Sequence, residues 1–127
     1  MMHRILIVDD HPDAADLACM LLSALGHECR AATSGTEGLA AAAEFAPDIA
    51  IVDIGLPDIS GYEVAHALRA TYGPSIYLAA VTGWGQPDDL RRAQNAGFDQ
   101  HVLKPADATK LRGVLAAAER AHPAHPA

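Results

Sequence analysis

Asp9, Asp10, Asp53, Thr82 and Lys104 are the residues of this chain whose types and positions could do chemistry together, because each stands directly after a short apolar run. Taken singly, each has an ordinary role: an aspartate caps a helix or begins a turn, a threonine ends a strand, a lysine is a solvated charge. If the apolar runs are parallel strands of one open sheet, all five side chains share the edge beyond the strands' carboxyl ends, where such sheets bind ligands. Two carboxylates about 5 Å apart repel by ~3 kcal/mol at an effective dielectric of about 20, so the cluster makes sense with a bound cation. Hard oxygen donors with an open coordination sphere suit Mg²⁺, which keeps several waters and bridges to phosphate.

Phosphoryl transfer needs an in-line nucleophile and positive charge around the equatorial oxygens, which is mostly positioning and electrostatics. Asp53 is the expected nucleophile, giving an aspartyl phosphate. Mg²⁺ is expected on Asp10, on Asp53 and on the backbone carbonyl of Gly55, with Asp9 in the outer sphere. The Lys104 ammonium and the Thr82 hydroxyl are expected to hold phosphoryl oxygens.

Strands and helices must bring these residues to one edge. Short runs rich in Ile and Val alternate with longer segments of helical period, the pattern of βαβ units on a parallel sheet. It predicts strands over 4–8, 28–31, 48–52, 75–81 and 100–103, with a helix after each. The first helix starts after Pro12, places Ala14, Leu17, Ala18, Leu21, Leu22 and Leu25 at helical spacing, and stops at Gly26. Ser34 with Glu37, and Ser60 with Glu63, fit capping boxes that open the second and third helices. The fourth has Pro87, Asp88 and Asp89 at its positive end and Gly97 at its stop, and the fifth follows Asp107 with Leu111, Val114 and Leu115 inward.

A chain of 127 residues makes one domain, expected over 1–121 with 122–127 as a frayed tail. Its formal charge of -7, from 16 acidic and 9 basic residues, repels the phosphate backbone, so direct nucleic-acid binding is not expected. No apolar run approaches the roughly 20 residues of a membrane span, and no signal-peptide core is present, so a cytoplasmic location is expected. Cys19 and Cys29 lack metal-ligand or CxxC spacing and read as small, reduced, buried hydrophobes with no chemistry.

The segments Ile5-Leu-Ile-Val-Asp9-Asp10-His-Pro, Val52-Asp53-Ile-Gly-Leu-Pro57 followed by Ser60-Gly61-Tyr-Glu, Val81-Thr82-Gly-Trp-Gly and Leu103-Lys104-Pro105 resemble the receiver domains of response regulators in residue type, order and spacing. The resemblance covers the chain to about Arg120 and is highly specific as a joint pattern. It implies a doubly wound α/β fold of the flavodoxin-like kind, with five parallel strands in the order 2-1-3-4-5. It also implies a phosphohistidine donor on a histidine kinase or histidine phosphotransfer protein, slow self-catalysed hydrolysis, and a cis Lys104-Pro105 bond. Gly83, Trp84 and Pro105 would form the rim of the site.

Three positions depart from the commonest family pattern. His101 stands where relatives carry a Tyr or Phe that swings inward as the threonine moves, so Thr82 and His101 are the candidate switch pair. Gly55 has no side chain to orient an attacking water and Trp84 is bulky, which together predict slow loss of the phosphoryl group. An independent enzyme is not expected, since GxGxxG, GxSxG and Walker A signatures are all missing. Haloacid-dehalogenase-type phosphatases want a second aspartate where Gly55 stands. The alternative reading is an interaction module of the same shape that no longer uses phosphate, against which all five functional residues are present. The chain reads equally as a stand-alone regulator or as the terminal receiver of a hybrid kinase. Output toward an unidentified protein target is expected from the fourth helix, fifth strand and fifth helix.

Overall fold

In a computed structural model, which describes residues 2–83 and 85–121, strands β1 (Arg4–Val8), β2 (Glu28–Ala32), β3 (Ile49–Asp53), β4 (Tyr77–Thr82) and β5 (Gln100–Leu103) alternate with helices. The helices are α1 (Pro12–Ala24), α2 (Gly35–Phe45), α3 (Gly61–Tyr72), α4 (Pro87–Ala96) and α5 (Ala108–Ala121). The strands form one parallel sheet in the order β2-β1-β3-β4-β5. This is the doubly wound α/β architecture expected.

β1, β3 and β4 are apolar on both faces because helices cover both. Ile5, Ile7, Ile49, Ile51, Ala79 and Val81 join α1 and α5 in one core layer. Leu6, Val8, Ala50, Val52, Leu78 and Ala80 join α2, α3 and α4 in the other. Fully burying one such Ile, Leu or Val stabilises by about 1.5–3 kcal/mol, and Ile5, Leu6, Leu22, Ile49, Leu68 and Leu78 are all completely enclosed. Among the described residues no helix is long and apolar enough to cross a membrane.

Several details differ from expectation. β3 begins one residue late and includes Asp53, and β4 begins at Tyr77 because Gly73–Ser75 first makes a single 3-10 turn containing Pro74. α1 packs through Ala15, Ala18, Cys19, Leu21 and Leu22, so Ala18, Leu21 and Leu22 of the face read in the sequence meet the core while Ala14, Leu17 and Leu25 are exposed. Ser34 and Ser60 cap α2 and α3 by accepting the amides of Glu37 and Glu63. The Glu37 carboxylate, however, accepts from the Thr33 hydroxyl at 3.0 Å. The reduced reading of the cysteines is corrected: Cys19 of α1 and Cys29 of β2 are joined as a disulfide, because packing α1 against the β1–β2 edge sets their Cα atoms 5.3 Å apart. The tail expected over 122–127 lies outside the described residues.

Candidate functional site

The helical connections run to opposite sides at β1 and β3, and the crevice beyond their carboxyl ends is where a sheet of this order binds ligands. Asp9 and Asp10 follow β1 there, and Asp53 is the last residue of β3. Asp53 is held in place by Gly61 at the start of α3: a Cβ on Gly61 would lie 2.4 Å from the Asp53 carbonyl oxygen and 2.7 Å from the Ile54 Cα, so only glycine fits. The loop between them is pinned from its other side. Asp58 accepts from the amides of Gly35 and Thr36, at 2.8 Å each, and from the Thr36 hydroxyl. These bonds, the hydroxyl's first, hold the Asp58 carboxyl well below the usual carboxylate range and tie the loop to the positive end of α2.

The Asp53 side chain is 2% exposed. Its Oδ1 accepts the Gly55 amide at 3.0 Å and its Oδ2 accepts the Lys104 ammonium at 2.8 Å. Ligand atoms of Asp9, Asp10, His11 and Asp53 all lie within 4.8 Å of one another. The His11 Nδ1 lies 3.2 Å from both Asp9 Oδ1 and Asp10 Oδ1, but is aligned for hydrogen bonding only with Asp9. Asp10 Oδ1 is therefore buried with no hydrogen-bond partner. Three convergent carboxylates, one with an orphaned oxygen, fit a hard divalent cation.

Burial alone would lower the Lys104 pKa, but its bond to Asp53 and the charges of Asp53, Asp9 and Asp10 outweigh this and raise it above the ordinary lysine value. The ammonium is thus fully charged at neutral pH. Thr82 closes β4, buried at 3%, one residue beyond the Val81 that pairs with Asp53. Its carbonyl accepts the Lys104 amide at 2.8 Å, which fixes the two residues side by side. The Lys104-Pro105 peptide is cis. Gly83 and Gly55 are exposed, and Pro105 lines an open groove of about 750 Å³ beside Asp53, walled on its far side by Leu17 and Leu21. Trp84, read as part of the rim, lies outside the described residues.

His101 sits in β5 opposite Ala80, with Nε2 buried and unpartnered. Burial lowers its pKa and Asp89 of α4 partly offsets this. Two residues escaped the sequence reading. His11 had a signal, its adjacency to the two aspartates. Asp58 had none, because its partners lie more than twenty residues away in sequence.

The chain matches the family model described as the response regulator receiver domain over residues 5–116. It is 37% identical over 120 residues to the transcriptional regulatory protein KdpE of Mycobacterium tuberculosis, covering 94% of this chain and 52% of that protein. It is 37% identical over 115 residues to the virulence sensor protein BvgS of Bordetella pertussis, covering 86% of this chain and 9% of that one. The chain thus spans about half, or far less, of the length of these relatives. A crystal structure of a CheY-like response regulator receiver domain protein from Methanospirillum hungatei JF-1 superposes with a TM-score of 0.87 at 27% identity, covering 97% of this chain and 98% of that one. Five parallel strands in the order 2-1-3-4-5, an acidic crevice at the end of β1 and β3, and this match over nearly the whole chain place the protein in the response regulator receiver domain family of two-component signalling.

Proposed function

We propose that the chain is a phosphoacceptor in which Asp53 takes a phosphoryl group from a phosphohistidine on a histidine kinase or histidine phosphotransfer protein. The observation that carries this reading is the buried Asp53 carboxylate, bonded to Lys104 at 2.8 Å and grouped with the Asp9 and Asp10 carboxylates within 4.8 Å. In the transfer a bond forms between an Asp53 carboxylate oxygen and phosphorus. The phosphorus–nitrogen bond of the donor breaks, and the imidazole leaves with the bonding pair. Asp10, Asp53 and the Gly55 carbonyl are the proposed holders of Mg²⁺, with Asp9 in its outer sphere. The ion, when bound, neutralises charge that develops on the phosphoryl oxygens. Lys104 and Thr82 hold those oxygens, and the groove walled by Leu17, Leu21 and Pro105 offers the protein donor an apolar seat beside the acceptor. We place the chain in the cytoplasm, with output to another protein through α4, β5 and α5.

Incubation with acetyl phosphate should add one phosphate by intact mass when Mg²⁺ is present and none after chelation. Labelling that proceeds equally well in the chelator would remove the acidic crevice from the reaction.

We assign the conformational response to Thr82 and His101. The depressed His101 pKa means that the folded chain protonates this ring less readily than the unfolded chain, so stability from this residue falls as pH drops below about 6.5. If the ring moves further inward as Thr82 turns to the phosphoryl group, burial deepens and the pKa falls again. Acid must then oppose activation by the same factor. NMR titration of the His101 ring should show a lower pKa with beryllofluoride than without it, and His101→Tyr should remove the acid sensitivity of partner binding. Superimposable titration curves in the two states would eliminate the switch.

A further inference from the structure

We propose that Cys19 and Cys29 form a reversible dithiol–disulfide pair, a modification site for disulfide-class oxidants such as oxidised glutathione that locks α1 to the edge strand β2. Packing on both sides of the pair brings the two cysteines opposite each other. Ala15 and Leu22 of α1 are completely buried, and Cys29 is in register with Ile5 of β1, so core packing sets the 5.3 Å Cα separation. That separation lies in the range a disulfide spans without moving the backbone.

Access is the second condition, since a fully enclosed thiol is inert to exchange. Both cysteines are only partly buried against the α1–α5 core layer. β2 is an outer strand of the sheet, and the solvent side of α1 beside Cys19 exposes Met20. A small disulfide can therefore reach the pair from the sheet edge. The consequence is mechanical: Leu17 and Leu21 of the tethered helix wall the groove beside Asp53. Oxidation fastens that wall to the sheet without consuming any residue of the acidic crevice.

The chemistry balances as two exchanges. One cysteine thiolate attacks a sulfur of oxidised glutathione, forming a mixed disulfide and releasing one glutathione thiolate. The second cysteine thiolate attacks the protein sulfur of that mixed disulfide and releases the other. Two protein thiols are oxidised, one oxidised glutathione is reduced to two glutathiones, and the two protons pass from cysteine to glutathione.

The test uses the full chain, reduced with dithiothreitol, desalted, and exposed to oxidised glutathione before alkylation and intact mass measurement. The expected product is monomeric, lighter than the reduced chain by two hydrogens, refractory to alkylation, and returned to the dithiol by dithiothreitol. Cys29→Ser should instead halt with one glutathione on Cys19, and Cys19→Ser with one on Cys29. Amide exchange in the second half of α1 should slow by roughly tenfold or more on oxidation, because the cross-link removes loop-closure entropy from the opened helix. Two glutathiones per chain, covalent dimers, or thiols that remain alkylatable would overturn the pair. Unchanged exchange in α1 on oxidation would overturn the lock.

Discussion

Asp53→Asn is expected to bring phosphate incorporation from acetyl phosphate below detection while the fold persists. An amide oxygen is not a nucleophile toward phosphorus, and an asparagine offers a hard cation one neutral oxygen in place of a carboxylate. Two opposing changes keep the variant folded. The substitution loses the charge-assisted bond to Lys104, a contact worth about 1.5–3 kcal/mol. It also removes one negative charge from a group of three carboxylates whose pairwise repulsion is ~3 kcal/mol at about 5 Å and an effective dielectric of about 20. Loss of label with a near-native melting temperature would therefore report the chemistry rather than unfolding. Label retained at the wild-type level would move the acceptor elsewhere, and phosphate-independent partner binding by the Asn variant at full strength would favour an interaction module that no longer uses phosphate.

Lys104→Ala should slow phosphorylation by acetyl phosphate roughly 100-fold, the size of effect seen when one preorganised donor to a developing charge is removed. The change also takes from Asp53 Oδ2, on a side chain 2% exposed, the ammonium that donates to it, so the metal-free chain should lose about 2 kcal/mol of stability. Because Lys104 is itself partly exposed, the larger values measured for fully buried pairs are not expected. Mg²⁺ separates the two roles. With the ammonium gone no lysine competes with the ion for Asp53 Oδ2, so Mg²⁺ should bind the variant at least as tightly as wild type and restore part of the lost stability, while the rate stays low. A calorimetric titration beside the labelling time course measures both. A rate unchanged from wild type would confine Lys104 to a structural role, and lost Mg²⁺ affinity would make the rate uninterpretable as phosphoryl binding and contradict the assignment.

The elements were legible because their signals are local. Pro87 and Gly97 bound α4, with the glycine at φ 108° where a side chain would be strained, and Ser34 and Ser60 cap the helices they precede. β1 and β5 have the bounds their apolar runs predict. The chemistry-bearing residues were legible for a related reason: each stands at or just past the end of a strand, and parallel strands bring their carboxyl ends to one edge. The edge of the α1 face was misread because Ala14, Leu17 and Leu25 satisfy helical spacing with the packed Ala18, Leu21 and Leu22 as well as Ala15 and Cys19 do. A periodicity fixes the angle between side chains, not which stripe meets the sheet.

By itself, the order of residues determined the alternation of strands and helices, the caps, and the set of polar groups at the strand ends, since these depend on neighbours within a few positions. Tertiary structure alone decided the contacts that required distant partners. It left Asp10 Oδ1 without a hydrogen bond, aimed Lys104 at Asp53 across 51 positions, and tied Asp58 to α2. At the opposite end of the sheet it enclosed His3 between Asp48 at 3.0 Å and Glu119 at 3.3 Å, bridging β1, the entry to β3 and α5. It also joined Cys19 to Cys29, whose sequence spacing matches no redox motif. Hydrogen bonds, ion pairs and sulfur bridges act over a few ångströms of space, and separation along the chain carries no record of which side chains packing will bring that close.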